Sequence, residues 1–181
     1  MFSGNWGLKI VQPEWLPPKV VLNGSVQDDY KKLHEIYQNK IICESIEIEG
    51  VPVIFNNRLD ATNPPYTHGF THLVTREATN RTGKFRAYDP RRAERLSWLS
   101  PLLKNYKDPC VSCFWFKTPE GAILGESLAI WLEEWDYVLV LKWVSIEKTE
   151  KIVATAHHVD IGNRSFWQNK RRRSTSRILQ F

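Results

Sequence analysis

Several features are scarce or missing in this 181-residue chain. No apolar run reaches the roughly 18–20 residues that cross a bilayer, so no membrane association is expected. The opening residues, Met1-Phe-Ser-Gly-Asn-Trp6, lack the charged-then-apolar pattern of a secretory signal, and a cytoplasmic protein is expected. Cysteine is limited to three residues, Cys43, Cys110 and Cys113, an odd number and too few for a disulfide framework. Cys110-Val-Ser-Cys113 has the spacing of half a zinc site, but no second pair of ligands follows at finger spacing. The two also lie in a strand-like run, where residues three apart face opposite sides. Buried, reduced thiols are the expectation, with no metal and no other cofactor. A glycine-rich phosphate loop is missing too, which disfavours transfer chemistry on a dinucleotide. There is no internal repeat and no low-complexity segment.

What remains is an ordinary globular composition, 42% hydrophobic and 25% charged, with a net charge of +5. The length fits one domain able to bury a core of its own. Charge is unevenly spread. Arg76 to Lys107 holds nine basic and three acidic residues, whereas Glu120 to Asp160 holds three basic and eight acidic ones. After Asp160 come Arg164, Lys170, Arg171, Arg172, Arg173 and Arg177. Two basic blocks around an acidic one predict a basic face that attracts polyanions in a salt-dependent way.

The pattern of elements predicts an α+β fold, with N-terminal helices packed on a curved antiparallel β-sheet of four to five strands. Residues 1–24 read as an irregular arm, 25–165 as one domain, and 166–181 as a basic tail. Ser25 caps a helix running to about Asn39, with Tyr30, Leu33, Ile36 and Tyr37 at helical spacing. Strands are expected on either side of Glu49-Gly50, from Cys110 to Thr118, from Tyr137 to Val144 and from Ile152 to Val159. Pro119-Glu-Gly121 reads as a turn, and Thr67 to Thr79 as either helix or strand. Asp89-Pro90 is a helix start, and Pro101 is expected to end or kink that helix.

Site chemistry is concentrated in His68-Gly-Phe-Thr-His72-Leu-Val-Thr-Arg76 and in the arginine-dense run Arg86 to Trp98. Imidazoles move protons near neutral pH, and guanidinium groups hold phosphate with forked, permanently charged donors. On a helix from Asp89, Arg91, Arg95 and Trp98 would share one stripe, suited to clamping phosphate beside a base-stacking ring. An amphipathic helix with its arginines merely solvated is the plainer alternative. Later, His157 and His158 sit in tandem on a strand, with Thr155 on the His157 side.

Phe70-Thr-His72-Leu-Val-Thr, Arg86 with Asp89-Pro-Arg-Arg-Ala-Glu-Arg-Leu-Ser-Trp98, Trp131-Leu-Glu-Glu-Trp-Asp-Tyr-Val-Leu-Val-Leu141 and Val153-Ala-Thr-Ala-His157 follow one another in a telling order. Across roughly residues 50–165 that order resembles the barnase/EndoU/colicin/RelE-like nuclease superfamily, particularly its phage and mobile-element members. The resemblance implies metal-independent cleavage of RNA, tRNA included, by 2′-OH attack to leave a 2′,3′-cyclic phosphate. It implies His72 as general base or acid, Arg91 and Arg92 on the phosphate, and Thr155 and His157 completing the catalytic set. Similar proteins often carry tyrosine where this chain has His157. His68, Arg76, Arg86, Arg95 and Trp98 would bind substrate. An acidic antitoxin or immunity protein is the implied partner. Two other readings share these residues: a non-catalytic nucleic-acid binder, and a protein-interaction module built on Trp131, Trp135, Trp143 and Trp167.

Overall fold

A computed structural model describes residues 11–118, 125–145 and 147–174. The expected turn at Pro119–Gly121, the first ten residues of the arm and the end of the basic tail lie outside them. Helix α1 spans Val26–Lys40, with the Ser25 hydroxyl accepting from the Asp28 amide. Its Leu33 and Tyr37 are fully buried, as the helical spacing requires. Strands β1 (Glu47–Ile48) and β2 (Val51–Ile54) form a hairpin whose turn is Glu49-Gly50, both at positive φ. That is the backbone a tight two-residue hairpin demands. The expected strand from Ile41 is mostly loop, and only its last residues pair.

Thr67 to Thr79 divides between the two expected structures. Helix α2 takes His68–Val74 and strand β3 takes Thr75–Asn80, paired with β4 (Gly83–Tyr88) as a separate two-stranded ribbon. Thr67 caps α2 by accepting from the Phe70 amide, at 3.3 Å. Gly69 lets the helix press on its neighbours, because a Cβ there would meet the Asn56 carbonyl oxygen at 2.8 Å and the Tyr37 hydroxyl at 2.9 Å.

Asp89 starts a helix as expected, its carboxylate accepting from the Arg91 and Arg92 amides. The helix then breaks, which the sequence did not suggest. α3 covers only Pro90–Ala93, a 3-10 turn follows at Leu96–Trp98, and α4 covers Leu99–Lys104. Pro101 therefore sits in the first turn of α4, where a missing amide hydrogen costs no bond, and does not end a longer helix.

Strands β5 (Ser112–Lys117), β6 (Glu126–Leu132), β7 (Tyr137–Trp143) and β8 (Lys151–His158) pair antiparallel in turn. β2 joins β8 in parallel, giving a mixed six-stranded sheet in the order β1-β2-β8-β7-β6-β5. The expected antiparallel sheet of four to five strands is corrected accordingly, while the α+β class stands. β2 pairs only with Lys151 and Ile152, so the rest of β8 has β7 on one side and no strand on the other. Helices α2 and α3 pack there instead.

Both sheet faces are covered, which is why β6 and β7 are buried nearly end to end. The larger core joins one face to α1, α2, α4 and the arm. The smaller joins Phe114, Trp131, Val138 and Val140 to Trp167. Trp167 belongs to helix α5, Ile161–Arg173, so the expected boundary at 166 falls inside a packed element. α5 also meets the acidic block, with Arg164 donating to Asp136 at 2.9 Å and Arg171 to Glu133 at 2.7 Å. No helix among the described residues is long and apolar enough to cross a membrane.

Candidate functional site

The side of β8 that faces away from β7, the end of α2 and the start of α3 meet around one guanidinium. A helix leaves its last carbonyls without partners. At the end of α2 the His72 carbonyl accepts from Arg92 Nη1 at 3.4 Å and from Arg86 Nη2 at 3.3 Å. Arg86 is further fixed by donating to the Thr75 hydroxyl at 2.6 Å and the Thr75 carbonyl at 2.8 Å. Two cations at a helix C-terminus are favourable with its dipole. They also crowd the His72 ring. Burial first, then Arg86 and Arg92, push its pKa down to about 4. Lys142, the lone charge ending the apolar run of β7, adds to that effect.

His157 shares the same neighbour. It is half-buried on β8 opposite Val138, its ring 6.0 Å from that of Trp167. Burial, followed by the field of Arg92, lowers its pKa to about 4. Its Nδ1 has no hydrogen-bond partner among the described residues. Thr155, half-buried, registers against Val140 on the same side as His157. His72 and His157 are thus two uncharged imidazoles at neutral pH, both under the influence of Arg92. Uncharged rings offer one acceptor and one donor each, which suits proton transfer.

His158 points to the other face, opposite Tyr137, as neighbouring strand residues must. There it lines a cleft of about 430 Å³ with Arg76, Asp89, Arg91 and Asp160. Arg91 donates to Asp160 at 2.8 Å, an exposed pair. Arg91 therefore stands with His158 and not with His157. Arg76 lies in the same cleft and also bears electrostatically on Arg92. His68 is exposed at the start of α2, its amide bonded to the Arg58 carbonyl.

Arg95 and Trp98 are corrected. Trp98, expected as an exposed stacking ring, is 2% exposed and donates from Nε1 to the Pro17 carbonyl at 2.8 Å. Its ring meets Tyr137 edge-on. Arg95 is 7% exposed, donates to the Arg91 carbonyl and the Glu94 carboxylate, and lies over the Trp98 ring. Both corrections follow from the broken helix and from the arm, which covers this segment. Lys142 and Asp160 were not expected at the site, and His158, expected only as the tandem neighbour of His157, proves to be the one that lines this cleft. Asp160 two residues beyond His158 was the available signal, because that spacing brings them to one side; their closest N···O approach is 3.8 Å.

Among the described residues, no three His, Cys, Asp or Glu side chains gather as a metal's donor set. No family model, curated protein or solved structure matches the chain.

Proposed function

We propose that the chain is a metal-independent endoribonuclease of toxin type, of the barnase/EndoU/colicin/RelE-like kind, acting on RNA in the cytoplasm. One observation carries this reading: two half-buried imidazoles, His72 and His157, are held uncharged by burial and by the field of one guanidinium, Arg92, where α2 and α3 pack along β8. Acid–base groups and fixed positive charge are what 2′-OH attack on a phosphodiester needs.

In this mechanism a phosphodiester lies against Arg92, with Arg86 reinforcing the field. His72 takes the proton of the ribose 2′-OH as the 2′-oxygen bonds to phosphorus. The bond from phosphorus to the 5′-oxygen breaks, leaving a 2′,3′-cyclic phosphate. Binding the anion raises the proton affinity of the rings; His157 takes up a proton from water as the anion binds and gives it to the departing 5′-oxygen, while His72 stays neutral until it accepts the 2′-OH proton. The Thr155 hydroxyl offers a hydrogen bond to a non-bridging oxygen. Arg76, Arg91 and His158 hold the neighbouring phosphate in their own cleft, and His68, exposed at the start of α2, meets RNA beyond it. An acidic antitoxin or immunity protein fits the same basic surface by charge complementarity.

The test is incubation with total RNA and with tRNA in EDTA, beside His72→Ala. Discrete fragments with cyclic-phosphate ends are expected, falling by about 10²–10⁴-fold in the variant. Intact RNA with salt-sensitive binding would make the chain a non-catalytic binder.

A further inference from the structure

A cavity of about 1000 Å³ opens between α1, the loop before α2 and the ribbon β3–β4. The proposed mechanism makes no use of it. Its walls include the rings of Tyr30, Tyr66 and Phe85, with Lys84 and Arg86 among the lining residues. Tyr30 and Tyr66 meet edge to face at 5.2 Å and hold each other in place. Phe85 is 45% exposed on a two-stranded ribbon, where an apolar ring gains nothing from the core. The lining contains no carboxylate, and its two cations are Arg86 and Lys84, the latter paired with Glu77 at 2.8 Å on the exposed side of the ribbon. Flat apolar walls with a cationic edge fit a ligand that is aromatic at one end and anionic at the other.

Arg86 connects this cavity to the histidines. The same guanidinium lines the cavity and donates to the carbonyl of His72. A phosphate held at Arg86 would have His72 and Arg92 on one side and the aromatic walls on the other. We propose that the cavity takes one unpaired base of the RNA, next to the nucleotide whose phosphate meets His72 and Arg92; this rests on the ribonuclease reading. The substrate is then best single-stranded where it is cut, because a base in a duplex reaches the cavity only after unpairing and unstacking, which costs a few kcal/mol. Phe85 stacks on the inserted base, and Gln27 at the wall offers an amide to its edge.

The test is equilibrium binding of short labelled RNA to the His72→Ala protein, which leaves the RNA whole. Phe85→Ala in that background is expected to weaken binding about 5- to 100-fold, the usual worth of one stacked base. Because the ring is uncharged, the dependence on salt should not change, whereas Lys84→Ala should make it shallower. In a set of oligonucleotides each with one abasic position, one should bind weakly to the parent and lose nothing more in Phe85→Ala. Parent-like binding by both Phe85→Ala and Tyr66→Leu would overturn the proposal. So would equal affinity for a duplex of the same sequence. Cleavage by the chain with His72 intact is scored separately. RNA cut without any dependence on Phe85 removes the base pocket alone, and Phe85-dependent binding without cutting removes the ribonuclease reading alone.

Discussion

Arg86 and Arg92 differ from Arg95 and Trp98 in fate, although all four stand in one short basic stretch. The first pair reaches back to the end of α2, where Arg92 bears on His72 and His157. The second pair is folded under the N-terminal arm, with donors spent on Arg91, Glu94 and Pro17. Residue type alone does not separate an arginine at the candidate site from a core one. What separates them is the break after Ala93, which turns the chain so that Arg95 and Trp98 point inward. Substitutions in the first region should therefore change turnover, and those in the second should change stability.

The largest effect that would break this contrast is on folding. Trp98→Ala removes a buried ring and its indole bond, and should cost about 3–5 kcal/mol of stability by denaturant unfolding. RNA affinity per folded molecule should be unchanged. A Trp98→Ala protein that stays as stable as its parent but loses RNA would return the ring to the binding surface. Arg92→Ala comes next. It should lower turnover by about 10²–10³-fold, as for other lost donors to developing negative charge. Its stability cost should be only about 1 kcal/mol, since its bond to the His72 carbonyl is long.

Smaller effects sharpen how α2 holds the site. Gly69→Ala forces a Cβ against Asn56 and Tyr37, which should cost about 1–3 kcal/mol and be read as a lowered Tm. The pH dependence of stability is gentler, spread over about two and a half pH units. His72 and His157 bind protons more weakly folded than unfolded, with values near 4 against an ordinary 6.5. The unfolded chain takes up the extra protons between those values. Stability is therefore complete above the unfolded pKa and is lost as pH falls towards the folded one. His72→Gln should flatten that loss by up to about 1.4 kcal/mol per pH unit, measured by urea unfolding at several pH values.

Local signals made much of the fold legible. The Ser25 and Asp89 caps, the Glu49-Gly50 turn and the runs of β7 and β8 each depend on residues close in sequence. The parallel pairing of β2 with β8 was not legible, because nothing near Val53 indicates that Lys151 will be its partner. α5 was hidden in the same way. Its run of basic residues looked like a tail until Arg164 and Arg171 found Asp136 and Glu133 across the sheet. In the candidate site, His72, Arg86 and Arg92 are close in sequence and fall together in space. The grouping of Arg91 and Arg76 with His158 depends on how β8 meets α3, which only the folded chain reveals.

The most direct measurement is an NMR titration of the His72 and His157 rings, alone and with a 2′-deoxy dinucleotide that presents a phosphodiester but no attacking hydroxyl. In the free protein both rings should titrate near pH 4, and both should shift upward when the phosphodiester binds beside Arg92. Two rings that titrate independently near 6.5 and ignore the dinucleotide would contradict a phosphate site built on Arg92.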